Sequence, residues 1–70
     1  MRIMKFKLED EYIQLQNVLK VCAIVDSGAM AKNIIQDGLV KVNGEVETRR
    51  GKKIRQGDVV TVFDESIEIC

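Results

Sequence analysis

Residues 26–58 read DSGAMAKNIIQDGLVKVNGEVETRRGKKIRQGD, and the order of the whole chain follows from them. Ser27 suits a helix N-cap, because its hydroxyl can accept from an otherwise unpaired N–H of the first turn. Ala31, Ile34 and Ile35 recur at i, i+3, i+4, one apolar face of a short helix. Gly38 ends it, since the residue just past a helix often needs a positive φ, which glycine adopts cheaply. Residues 39–42, Asn43-Gly44 and 45–47 then read as strand, two-residue turn and strand. Asn-Gly is a strong hairpin signal because a type I′ turn needs positive φ at both central residues. Directly after the hairpin, Thr48-Arg49-Arg50-Gly51-Lys52-Lys53-Ile54-Arg55 is the densest run of one charge sign in the chain.

Upstream, residues 2–8 alternate, with Met4, Phe6 and Leu8 on one side and Lys5 and Lys7 on the other, which predicts a short N-terminal strand prone to fraying. Leu15, Val18, Leu19 and Cys22 fall at i, i+3, i+4, i+7, so 14–21 is expected to be an amphipathic helix. Ala23-Ile24-Val25 reads as a buried connector, and the two helices should pack as an αα-hairpin or corner. Downstream, residues 55–58 read as a turn and 59–63 as a strand. A last short strand over 66–69 is expected, with Ile67 and Ile69 on one face. Helices first and strands later predict an α+β domain with two short N-terminal helices on a small antiparallel sheet. The expected core is Leu15, Val18, Leu19, Ala31, Ile34, Ile35, Val40, Val42, Val46, Val60 and Val62.

Seventy residues make one small domain, 1–70, with no room for a second core. An apolar content of 46% favours a folded globule over a disordered tail. No apolar run reaches the ~20 residues of a membrane span and no signal-peptide pattern opens the chain, so a cytoplasmic location is expected. Cys22 and Cys70 are expected to be free thiols, as two distant cysteines make a poor disulfide framework. With no histidine, neither a zinc site nor any other metal or cofactor site is expected. The net charge of zero hides an asymmetry. Residues 41–55 hold six lysines and arginines against two glutamates, a local +4, which leaves −4 on the remainder. That division suggests one basic face on an otherwise acidic molecule.

The elements and residues above resemble the S-four RNA-binding domain, the αL motif found in pseudouridine synthases, tyrosyl-tRNA synthetases and stress-related ribosome-binding proteins. The resemblance is carried by Leu15, Leu19, Ser27, Ala31-Lys32, Gly38, Val40-Lys41-Val42-Asn43-Gly44 and Gly57-Asp58, and so covers about 14–63. Ser27-Gly28, Ala31-Lys32, Val42-Asn43-Gly44 and Arg49-Arg50-Gly51-Lys52-Lys53 are similar, within that family, to the small stand-alone bacterial proteins of the YaaA/YbcJ type, single-domain and linked to ribosome assembly. Many family members carry arginine where this chain has Gln14 and Gly28, and both arginines usually face RNA. Their absence shifts the expected recognition towards the loop after the hairpin. Lysine rather than arginine at 32 keeps the charge but loses the planar fork that grips phosphate bidentately.

The resemblance implies a non-catalytic module for structured RNA, rRNA above all and tRNA as an alternative, acting as a monomer on its own or beside the ribosome or a ribosomal protein. The candidate contacts are Ser27, Gly28, Lys32, Lys41, Asn43, Arg49, Arg50, Lys52 and Lys53. A-form RNA hides its base edges in a deep major groove, so a small module reads shape, phosphates and 2′-hydroxyls. Each candidate also has a plainer role: Ser27 as a cap, Asn43 as a turn residue, the charges as solubilising. Asp58 is expected to bond within its own turn, and Lys20 and Arg55 read as solvated. Catalysis is not expected, because no nucleophile–base pair can be assembled and no GxxxxGK[ST] loop is present. A protein–protein adaptor is the main rival, through Glu9-Asp10-Glu11, Asp64-Glu65 or an edge strand. A sulfur carrier would end Gly-Gly, whereas this chain ends Glu68-Ile69-Cys70. Double-stranded DNA is a weaker alternative, since neither helix is an obvious major-groove reader, and Phe6, Tyr12 and Phe63 are too few for a single-strand stacking platform.

Overall fold

Two helices form where the apolar spacing predicts them, in a computed structural model that describes residues 2–70. Helix α1 spans Leu15–Val21 and buries Leu15, Val18 and Leu19. Helix α2 spans Gly28–Gln36 and buries Ala31, Ile34 and Ile35. Ser27 caps α2 as expected, its Oγ accepting from the Met30 N–H at 3.2 Å. Both helices stop by the same device. After α2, Gly38 (φ +78°) donates to the Ile35 carbonyl and Leu39 donates to that of Ile34, the paired bonds of a Schellman motif. After α1, Ala23 donates to Lys20 and Ile24 to Leu19, the same pattern with alanine at φ +59°. This stop turns Ala23 out to solvent, which corrects the expectation of a wholly buried connector; only Val25 of the three is fully buried.

The strands are β1 (Arg2–Phe6), β2 (Ile13–Gln14), β3 (Val40–Val42), β4 (Glu45–Val46), β5 (Lys53–Ile54), β6 (Val59–Val62) and β7 (Glu65–Ile69). Five make one sheet in the order β1-β7-β6-β3-β4, and β2 and β5 form a separate antiparallel pair. The α+β class holds, but the main sheet is mixed rather than wholly antiparallel, because β1 joins its edge parallel to β7. Met4 lies opposite Ile67 and Phe6 opposite Ile69. Two further bonds, Leu8 N to Cys70 O and Cys70 N to Phe6 O, hold the N-terminal strand that sequence alone reads as prone to fraying.

The β3–β4 turn is the predicted one, with Asn43 at φ +52° and Gly44 at φ +86°. Its two-residue loop sets Val42 opposite Glu45 and Lys41 opposite Val46. Val46 therefore shares the face of Lys41, not that of Val40 and Val42, and is 55% exposed. Its expected place in the core is corrected by that register, in which neighbouring residues point to opposite faces. Five residues join the core instead: Leu8, Val25, Ile54, Ile67 and Ile69. Met4, Phe6, Ile13, Cys22 and Ile24 pack against it, half-buried. Burial raises the Cys22 thiol above its ordinary pKa, with the charge of Glu65 adding to the effect, and both cysteines are free thiols. Among the described residues no helix is long and apolar enough to cross a membrane.

Candidate nucleic-acid interface

The basic segment is a strap laid across the start of α1. Gln14 provides no side-chain cap there, so the first N–H groups need other acceptors. They find them in the strap, where Leu15 N donates to Lys52 O at 2.9 Å and Gln16 N to Arg50 O at 3.1 Å. The β2–β5 pair continues the seam, with Gln14 opposite Lys53 and Ile13 opposite Ile54. Ile54 is wholly buried, while Arg49, Arg50, Lys53 and Arg55 are exposed and Lys52 is half-buried. The strap is thus anchored by its backbone and one apolar side chain, which leaves Arg49, Arg50, Lys53 and Arg55 in solvent.

Arg49, Gly51, Lys52, Lys53 and Arg55 line one open hollow of about 440 Å³. Their charges are not equivalent. The Arg49 guanidinium forms a fork on Glu47, Nε to Oε2 at 3.0 Å and Nη2 to Oε1 at 3.1 Å, and the Arg49 N–H adds a third bond at 2.9 Å. These bonds, the side-chain ones first, hold the Glu47 carboxyl down at about 2; Glu47 in turn raises the pKa of Arg49. Lys53 Nζ lies over the ring of Tyr12, 4.9 Å from its centroid, a cation–π contact. Among the described residues, Arg50, Lys52 and Arg55 form no ion pair.

Asn43 sits at the join of two turns. Its Nδ2 donates to Asp58 Oδ1 at 3.1 Å and its Oδ1 accepts from Val59 N at 2.9 Å, while Asp58 Oδ2 accepts from Arg55 N at 2.8 Å. Asp58 therefore bonds within its turn, as expected, and also locks the hairpin to β6. Lys41 lies on the solvent face of the sheet, opposite Val46 and Thr61. Ser27, Gly28 and Lys32 occupy the first turns of α2, and none lines the strap hollow. Space around Gly28 is open, since a Cβ there would meet nothing within 4 Å. Of the residues named from sequence, the hollow gathers Arg49, Lys52 and Lys53, and it adds Arg55. Continuity with the charge run was the signal for Arg55. Nothing in the sequence pointed to Tyr12 beside Lys53, because that contact depends on the β2–β5 pairing.

Two helices on a small mixed sheet, with a cationic strap across the first helix, define a small α+β domain of the αL type. The profile of the S4 domain (the S-four module) matches residues 6–70, and the chain belongs to that family. It is 40% identical over 55 residues to "Probable ribosome maturation protein RlbA" of Bacillus subtilis, covering 79% of this chain and 78% of that one. It is also 40% identical over 58 residues to "Putative RNA-binding protein YbcJ" of Escherichia coli, covering 83% of each. The solution structure of E. coli YbcJ, described as revealing an αL motif involved in RNA-binding, superposes with a TM-score of 0.74 at 36% identity. That match covers 99% of this chain and 89% of YbcJ.

Proposed function

We propose that this chain is a non-catalytic module that binds structured RNA, rRNA in particular, through its phosphate backbone during ribosome assembly. The observation that carries this reading is the strap: four cations around one hollow, held by backbone bonds to α1, so that little ordering remains to be done on binding. Phosphate contacts of this kind give affinity and register without reading sequence. Membership of the S4 domain family supports the reading, as do the RNA-binding name of the E. coli relative and the ribosome-maturation name of the B. subtilis one. In this reading Ser27 and Asn43 serve the scaffold, Arg49, Arg50, Lys52, Lys53 and Arg55 meet phosphates, and Gly28 and Lys32 offer a second contact on α2. The protein works as a cytoplasmic monomer on the ribosome or its precursors.

The test is fluorescence anisotropy against a structured rRNA fragment, titrated with salt. The log–log salt slope of the wild type should be about −3 to −5. Changing Arg49, Arg50, Lys52 and Lys53 together to Gln should flatten it to roughly −1 to −2 while circular dichroism stays unchanged. Weak binding by wild type, with a folded variant no worse, would remove the strap from the interface and leave the protein-adaptor reading in its place.

A further inference from the structure

We propose that the groove beside Tyr12 is a nucleobase pocket, which takes a single unpaired guanine extruded from the structured RNA; this rests on the RNA-binding reading above. The groove holds about 760 Å³ and is lined by Asp10, Glu11, Tyr12, Gln14, Asn17 and Val21 among others. The groove is open along its length, so it offers a base a surface to lie against rather than an enclosure. Tyr12 is 39% exposed and carries Lys53 Nζ over its ring. Gln14, on the groove wall, is the register partner of Lys53, on the strap wall. The groove and the cationic hollow therefore adjoin along the β2–β5 seam, and a nucleotide phosphate on the strap has its base beside the Tyr12 ring.

The two hollows differ in sign, and each excludes what the other takes. Asp10 and Glu11 repel phosphate, so the backbone stays on the strap and only an uncharged base enters the groove. With Lys53 over one face of the ring, the other face accommodates one base, which matches a bulge or loop nucleotide in folded RNA rather than a run of single strand. Carboxylates only accept hydrogen bonds. Guanine is the base whose pairing edge sets two N–H donors side by side, at N1 and N2, against a two-oxygen acceptor. Gln14 Oε1 already accepts from Gln16 Nε2 at 2.9 Å, which leaves the Gln14 amide to donate into the groove.

The experiment uses the full chain and labelled RNA hairpins with one common stem, either fully paired or carrying a single bulged G, A or U. Wild type should bind the bulged-G hairpin about tenfold tighter than the paired one. Tyr12→Ala should lose that preference and keep the salt slope; Tyr12→Leu serves as the second variant should circular dichroism show Tyr12→Ala unfolded. Asp10→Asn with Glu11→Gln should bring bulged G and bulged A to equal affinity. Equal binding of all four hairpins by wild type, with a steep salt slope, overturns the pocket and leaves the phosphate reading standing. Failure to bind any hairpin overturns both. If a lysine- and arginine-rich peptide shifts the Tyr12 and Val21 NMR signals while the bulged hairpins do not, the groove is a protein site and the pocket is overturned.

Discussion

Glu47 sets how much of the charge of Arg49 is presented to a ligand. Its side chain is 13% exposed and takes three hydrogen bonds from that one residue. Replacing it by Gln in Glu47→Gln removes a negative charge from the strap and releases the guanidinium. RNA affinity at low salt should then rise about threefold, read by anisotropy, and the gain should shrink as salt screens it. The same pair makes stability depend on pH. The folded-state value of about 2 lies below the ordinary 4.5, so Glu47 contributes stability above about pH 4.5 and loses it as pH falls towards and through 2. Thermal melts between pH 5 and 2 should show a steeper loss in wild type than in Glu47→Gln; parallel curves would sink the assignment. Asn43 shows the limit of reading at this scale. Its turn was legible because Asn-Gly specifies a backbone geometry, but its bonds to Asp58 and Val59 join segments 15 and 16 residues apart.

The helix ends give the sharpest test at the scale of elements. Ala23 and Gly38 occupy the same left-handed position after α1 and α2. Ala23→Gly should stabilise the domain by about 1 kcal/mol, and Gly38→Ala should destabilise it by about as much, in urea unfolding. The second cost is conformational, since a Cβ at Gly38 would make only an ordinary 3.6 Å contact with Val46. Gly38 was legible as a stop because glycine advertises positive φ, whereas Ala23 hid an identical stop behind a residue that rarely adopts it. The start of α2 carries a second prediction. In the open space at Gly28, Gly28→Arg restores the cation common in the family, and the salt slope of RNA binding should steepen by about one. An unchanged slope would take α2 out of the interface.

At the scale of the molecule, the two ends of the chain close the fold. Strand β1 adds to the sheet edge beside β7, and Leu8, just beyond it, is 3% exposed. Gln56 Nε2 also donates to the Leu8 carbonyl at 2.9 Å, which ties the turn before β6 to the same point. Leu8→Ala should cost about 2–5 kcal/mol in chemical denaturation, a large share of what so small a domain possesses. A cost under about 0.5 kcal/mol would mean that the N-terminal segment is dispensable. The sequence by itself determined the helices, the hairpin, the last two strands and the site of concentrated charge, because periodicity, caps, turn chemistry and charge density are local properties. Only the tertiary structure decided that β1 pairs in parallel, that Ile54 faces in, and that the strap caps α1. It alone brought Tyr12 to Lys53. Each of these depends on which distant segment supplies the partner, and local patterns carry no record of that choice.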